Sequence, residues 1–270
     1  MSLHVSLHTK PAVPLEAEVL CPDRVQGLTS VEVAKLLVYH GNEKAALGDF
    51  FKVSGSGDSE IRIEGDLKRV KHIGAGMTHG RIEIEGPVGS HLGAGISGGE
   101  IRVHADVGDW VGPEMKGGRI FIEGNAGHML GSAYRGSTVG MREGEIIVSG
   151  NVGNEAGNAM RGGLIAIGGD SGDFAGVNML AGTIIVLGQL GIRTGAGMKR
   201  GSIVSMHDAA VLPTFTYACT YHPLYLRFYL LHLLDLGLKV AEAQLLGRYR
   251  RYSGDSVELN RGELLIYAGS

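Results

Sequence analysis

A short alternation of apolar and polar residues recurs through the middle of the chain: Ile82/Ile84, Ile101/Val103, Ile120/Ile122, Ile146/Val148, Ile165/Ile167 and Ile184/Val186. A period of two belongs to a strand with one buried face. The blocks opened by these strands begin at Arg81, Glu100, Arg119, Glu145, Leu164 and Thr183, a spacing of 19, 19, 26, 19 and 19 residues. A 21-residue block from Glu60 precedes them and a partial block from Ser202 follows. The longer interval is one block plus a seven-residue insertion within Ser132–Gly144. Glycines recur at fixed offsets, as Gly150, Gly153, Gly157 and Gly163, where corners need positive φ or close backbone approach. No block holds the roughly 10–12 helical residues that a βαβ crossover needs. The pattern predicts a mainly β chain, a right-handed parallel β-helix of about 7–8 coils with one strand per turn.

Stacking in register explains the charges. The first position of successive blocks runs Glu60, Arg81, Glu100, Arg119, Glu145, so opposite charges face each other about 4.8 Å apart. A slip of one coil would set like charges together. The third position begins likewise, with Arg62, Glu83 and Arg102, then turns apolar with Phe121, Ile147, Ala166, Ile185 and Val204. The fifth follows, from Glu64, Glu85, His104 and Glu123 to Ser149, Gly168, Leu187 and Met206. Both columns point away from the core. The later face therefore needs a cover, and Phe121, Ile147, Ile185 and Val204 are read as interface residues.

Three regions follow: an N-terminal α+β cap over 1–56, the glycine-repeat β-helix over 57–212, and a C-terminal helix with closing strands over 213–270. In the cap, Met1–Gln26 reads as short strands. Thr29-Ser30-Val31-Glu32 is a capping box opening a helix through about Val38, stopped near Gly41. In the last region Pro223 and Gly247 bracket a long apolar segment with a narrow polar stripe of Arg227, Asp235, Lys239 and Glu242. It predicts one helix over Pro223–Leu246, about 35 Å long, lying along the stack, covering part of the apolar outer columns and offering its remaining apolar side to another subunit. Ser256–Ala268 reads as a hairpin turning at Asn260–Gly262.

Composition narrows the function. Glycine supplies 45 of 270 residues, and all but eight of those 45 lie between Gly55 and Gly201. With 7 prolines and 44% hydrophobic residues, neither collagen nor a disordered chain fits. The net charge of −3 and the lack of a long basic run argue against nucleic-acid binding. Leu224–Val240 carries Arg227, His232, Asp235 and Lys239, a poor membrane span. Met1–Lys10 lacks the apolar core of a signal peptide. Cys21 and Cys219 form no CxxC pair and suit a reducing compartment, so a cytoplasmic protein is expected.

Little in the sequence bids for catalysis. Gly93-Ala94-Gly95-Ile96-Ser97-Gly98 matches the dinucleotide fingerprint, but another strand pattern follows where a helix is required. The eleven histidines share no repeat column and form no HxH or HxxxH pair, and no GxSxG elbow appears. No catalytic residue and no metal site is assigned. The binding candidate is a cation column at position 17 of the blocks: Lys116, Arg135, Arg161 and Lys199, beside Met115, Tyr134, Met160, Met179 and Met198 at position 16. Arg135 belongs to it only if the insertion does not displace it. A solvated basic edge and a seat for an anionic partner account for this column equally well. A second cluster, Arg248, Tyr249, Arg250, Arg251 and Tyr252, joins cations to aromatics, and at this net charge it reads as a protein interface.

The 19-residue glycine blocks resemble the GXGXG domain at the carboxyl end of glutamate synthase and the C subunit of formylmethanofuran dehydrogenase. The flanks favour the second: Leu28–Val53, with Leu47-Gly48-Asp49-Phe50-Phe51-Lys52-Val53 leading into the first coil, and Ser253-Gly254-Asp255 followed by Gly262-Glu263-Leu264-Leu265-Ile266. The long segment Pro223–Leu246 departs from the archaeal tungsten or molybdenum enzymes and is similar to the branch found in the formyltransferase/hydrolase complex of methylotrophic bacteria. That branch implies a scaffold subunit in one-carbon metabolism, without an active site of its own. Its implied partners are a zinc-dependent, amidohydrolase-like hydrolase subunit, a formyltransferase subunit and a dehydrogenase-B-like subunit. The complex passes a formyl group from tetrahydromethanopterin to a methanofuran-type cofactor and releases formate. The cofactor's polyglutamate tail is an anion, so the resemblance implies a role for Lys116, Arg135, Arg161 and Lys199, or for the Arg248–Arg251 cluster, in guiding it, with no cofactor held tightly by this chain.

Overall fold

The computed structural model describes residues 2–269. In chain order the strands of the first region are β1 (Leu3–Leu7), β2 (Leu15–Glu16), β3 (Leu37–His40), β4 (Glu43–Ala46) and β5 (Phe51–Ser54), with helices α1 (Pro22–Val25) and α2 (Ser30–Ala34). The repeats supply β6 (Glu60–Glu64), β7 (Val70–Lys71), β8 (Arg81–Glu85), β9 (Glu100–Val103), β10 (Lys116–Ile122), β11 (Glu143–Val148), β12 (Leu164–Ile167), β13 (Thr183–Val186) and β14 (Arg200–Ser205). The last region holds β15 (Thr216–Tyr221), α3 (Leu224–Asp235), α4 (Glu242–Leu245), β16 (Arg248–Gly254) and β17 (Arg261–Gly269).

Among the described residues thirteen strands form one mixed sheet, ordered β15-β16-β17-β14-β13-β12-β11-β10-β9-β8-β6-β1-β5. From β6 to β14 each sheet strand pairs in parallel with the next in sequence, and the pairs keep the block register: Ile82 with Ile101, Ile101 with Ile120, Ile120 with Ile146. Parallel bridges link Leu67, Val88, Val107, Ala126, Val152, Ser171 and Leu190 in a second column. The chain is thus mainly β and β-helix-like.

Why the glycines recur is visible at Gly93. Its φ is +63°, and a Cβ there would lie 2.7 Å from Ile120 Cδ1 of the next coil but one. Inward-facing isoleucines fill the core, with Met77, Met115, Met141, Met160, Met179 and Met198 lining one corner, all fully buried.

Two ladders of side chains hold the corners. Asp106, Asn125, Asn151 and Asp170 each accept the backbone N–H of the residue one coil on, at 2.7–2.8 Å. Three residues further along, Asp109, His128, Asn154 and Asp173 do the same at 2.7–3.0 Å. His128 accepts through Nδ1, so that nitrogen carries no proton.

The flanks differ from the sequence reading in detail. The Thr29 capping box is present, with Thr29 N–H donating to Glu32 Oε2 at 2.8 Å, but α2 ends at Ala34. Gly41 turns the β3–β4 hairpin rather than stopping a helix. The expected helix over Pro223–Leu246 is not formed. α3 stops at Asp235 because Gly237 adopts φ +90°, and Leu238 and Val240 beyond it are buried in the hydrophobic cover. The closing hairpin pairs β17 with β16, so the Arg/Tyr cluster is itself a strand, and Ser256–Asn260 is the connection.

Candidate functional site

The apolar outer columns are covered by this chain itself. Phe121, Ile147, Ile185 and Val204 are at most 5% exposed, and they pack with Leu226, Leu230 and Leu233 of α3 in one cluster. The reading of these four as partner-facing is corrected: their cover is intramolecular. Polar pins hold α3 in place. His232 Nε2 lies 2.9 Å from Glu145 Oε1, and the Tyr225 hydroxyl donates to Glu263 Oε1 at 2.7 Å. Burial, then the Glu263 carboxylate, pushes the Tyr225 hydroxyl pKa up, so it stays a donor.

Tyr249 is likewise buried, its hydroxyl donating to the Gln244 carbonyl at 2.8 Å and its ring edge-on to Tyr267 at 5.5 Å. Its neighbours keep more exposure. Arg250 pairs with Asp208, Arg251 Nε lies 2.9 Å from Glu263 Oε2, and Tyr252 meets Tyr217 edge-on at 5.8 Å. Arg248 is exposed. Of the five, Tyr249 is removed from any surface.

The cation column exists, with one member changed. The residue after each corner methionine donates its N–H to the equivalent methionine carbonyl one coil back: Arg142 to Met115 at 2.8 Å, Arg161 to Met141 at 2.7 Å, Lys199 to Met179 at 2.7 Å. Met141 N–H reaches Gly131 O at 2.8 Å, closing the corner across the insertion. Met141 and Arg142 therefore take the places expected for Tyr134 and Arg135. The clue was in the sequence, since Met141-Arg142 repeats the pairs Met115-Lys116, Met160-Arg161 and Met198-Lys199. Lys116, Arg142 and Arg161 stand exposed on adjacent coils, in no ion pair with a described residue. Lys199, one coil beyond Leu180, lies 3.7 Å from Glu258. Glu143, the ladder partner of Lys116, stands exposed beside Arg142, so the column carries one carboxylate among its cations.

Arg135 belongs instead to the insertion. It lines a cavity of about 330 Å³ with Trp110, Met129, Tyr134, Glu155 and Asn158. Tyr134 folds back on the column of rings at the neighbouring corner. Its ring stacks on Trp110 at 5.0 Å, and its hydroxyl shares a 3.0 Å hydrogen bond with His91 Nδ1. His91 in turn stacks on His72 at 4.6 Å. Burial, with help from His72 and Lys71, lowers the His91 pKa to about 4. Burial and the nearby Glu114 raise the Tyr134 pKa to about 12. The corner therefore sets a column of rings beside Arg135, with the carboxylates of Glu155 and Glu114 close by. His72 and His91 occupy equivalent corners of neighbouring blocks, which corrects the expectation that the histidines share no repeat column.

One further cluster has metal-ligating atoms: Glu83, Glu85 and His104 bring theirs within 4.8 Å of one another. Protein partners already surround it. Arg62 reaches Glu83 at 2.9 Å, and His104 Nδ1 lies 2.9 Å from Glu123. Burial opposes the His104 charge, but Glu123 and Glu83 outweigh it and raise the pKa. These side chains form an ion-pair network over the outer columns of the early coils.

Against known proteins, residues 61–215 match the model of the GXGXG motif. The C subunit of a molybdenum-containing formylmethanofuran dehydrogenase from Methanothermobacter thermautotrophicus is 47% identical over 72 residues, 26% of this chain and 18% of the relative. The C subunit of the tungsten-containing enzyme from the same organism is 44% identical over 78 residues, 27% of this chain and 29% of the relative. The chain thus spans less than a third of the length of these relatives. Among solved structures, a chain of the formyltransferase/hydrolase complex from Methylorubrum extorquens, crystallised with methylofuran, superposes with a TM-score of 0.91. It is 34% identical, and the match covers 98% of this chain and 99% of that one.

Proposed function

This chain belongs to the GXGXG-motif family, in the group that holds the C subunits of formylmethanofuran dehydrogenases, and from that premise we propose that it is a scaffold subunit of a formyltransferase/hydrolase complex. The observation that carries the reading is the end-to-end match to a chain of such a complex, which includes the C-terminal region outside the motif. Its structural frame is read as a right-handed parallel β-helix of about 7–8 coils, stiff because neighbouring coils share a backbone ladder. In a cytoplasmic assembly it would hold a hydrolase, a formyltransferase and a dehydrogenase-B-like subunit in fixed relation while chemistry proceeds on them.

The cation column gives the scaffold a second task. Lys116, Arg142 and Arg161, with Lys199 beyond, suit the polyanionic tail of a methanofuran-type cofactor, and Arg135 extends the positive edge at the insertion. The fit is one of charge: three cations on adjacent coils meet a chain of carboxylates. Their role is to bind and orient the tail; the carrier chemistry belongs to the cofactor. Purifying the chain from its native cells and identifying its companions by mass tests the assembly. Recovery without a transferase or hydrolase subunit refutes it. In the assembled complex, Arg142→Ala with Arg161→Ala is expected to raise the KM for the cofactor several-fold at low salt, with the difference shrinking as salt screens the charges. An unchanged KM at low salt removes the tail from the proposal.

The curated relatives support a second reading, a subunit of a molybdenum or tungsten formylmethanofuran dehydrogenase. Either metal in stoichiometric amount in the purified complex selects it. A structural domain of glutamate-synthase type shares only the motif, and glutamate synthase domains among the companions would select that.

A further inference from the structure

α3 has two apolar faces, and this chain covers one of them. Leu226, Leu230 and Leu233 are at most 1% exposed against the sheet. On the opposite side Leu224, Phe228, Leu231 and Leu234 are 78, 75, 39 and 36% exposed. Steps of four, three and three residues place them on one continuous stripe. Such a stripe on a helix end-pinned by His232 and Tyr225 is held ready rather than left loose.

The charges beside the stripe say what fits it. Arg227 and Asp235 are both exposed, and neither is paired with a described residue. They lie four residues before and four after Leu231, so all three share one face. Two such helices laid antiparallel about a two-fold axis through Leu231 bring Arg227 of each copy to Asp235 of the other. The same operation sets Phe228 against Leu234 and Leu231 against its own counterpart. That is the self-complementarity of an isologous contact, in which one patch serves both sides. A different protein would impose no such symmetry on this helix.

We propose that α3 is a homotypic docking helix, pairing antiparallel with α3 of a second copy of this chain. The contact is independent of the scaffold reading and of any hetero-partner. A single pair of three-turn helices buries less than the roughly 1,200 Å² of a standard interface, so alone it is a weak, concentration-dependent contact.

Site-directed crosslinking of the full chain captures a weak contact. With Cys21 buried, replacing the exposed Cys219 (Cys219→Ser) leaves no reactive thiol, and Leu231→Cys then places one thiol on the proposed axis. Mild oxidation, or a short bismaleimide, is expected to give a covalent dimer at Leu231→Cys and at least five-fold less at Leu224→Cys, which the axis places away from its own counterpart. Arg227→Asp alone should cut the Leu231→Cys dimer several-fold, and Arg227→Asp with Asp235→Arg should restore it. Circular dichroism melts check that each variant is folded, and the exposed stripe makes that expected. The proposal is overturned by absence of the Leu231→Cys dimer at high protein concentration. It is equally overturned if the paired reversal fails to rescue, or if the thiol in the purified complex joins a different subunit.

Discussion

The early and later coils share a ladder but differ in what they show outside it. Around β6, β8 and β9 the outward side chains are Arg62, Glu83, Arg102 and His104, cross-linked by ion pairs such as Arg62–Glu83 at 2.9 Å. From β11 through β14 the same column is Ile147, Ala166, Ile185 and Val204, all fully buried under α3. Phe121 marks the boundary, with the Arg102 guanidinium 4.2 Å over its ring. The backbone register is continuous across it. Outer-column chemistry is therefore free of the frame, and it decides whether a coil faces water or receives another element.

Removing a group from each half shows how different the two halves are. The largest effect is expected for Leu230→Ala in α3, about 2–5 kcal/mol by the usual cost of an emptied apolar site, read as a fall in Tm. A loss under 1 kcal/mol would mean that α3 rests on the later coils without stabilising them. Next come Gly98→Ala among the early coils and Gly162→Ala among the later. Their added Cβ atoms would each lie 2.2 Å from a backbone oxygen, of Thr78 and Arg142 respectively. Each should cost about 1–3 kcal/mol, and about equally, because the frame is common. A large asymmetry would break the claim of one frame.

The early half has its own acid-sensitive point. The His91 pKa is lowered to about 4 in the folded chain, against about 6.5 when unfolded. The unfolded chain then binds the extra proton between those values, so this contribution is intact above pH 6.5 and declines as pH falls toward 4. His91→Gln should flatten that part of the Tm profile, and an unaltered slope would assign the sensitivity elsewhere. The smallest change belongs to the exposed ion pairs. Arg62→Met should shift Tm least of these substitutions, and less in high salt, whereas a fall matching that of Leu230→Ala would overturn this ranking.

The difference between the halves was readable in the residues, because the columns change from charged to apolar at Phe121 and a strand's period of two assigns them to the outside. Its solution was only half readable. An apolar segment after Pro223 is the expected cover, but the helix within it ends at Asp235, short of the Leu246 that the pattern predicts. Gly237 costs only about 1 kcal/mol inside a helix, too little to announce a stop without the packing of Leu238 and Val240. The binding corner shows the same division. Met141-Arg142 copies its sister pairs, whereas the stacking of Tyr134 on Trp110 depends on how the insertion folds back.

Local periodicity by itself determined the strand ladder, its register and the glycine corners, since each follows from residues at most one repeat apart. Tertiary structure alone decided where α3 ends, that β15 and β16 are strands, and which side chains meet at the insertion. Those outcomes depend on contacts between distant parts of the chain, as between His232 and Glu145 or Tyr225 and Glu263. Such contacts leave no period in the sequence, because the energy that selects them comes from surfaces meeting only after the coils have stacked.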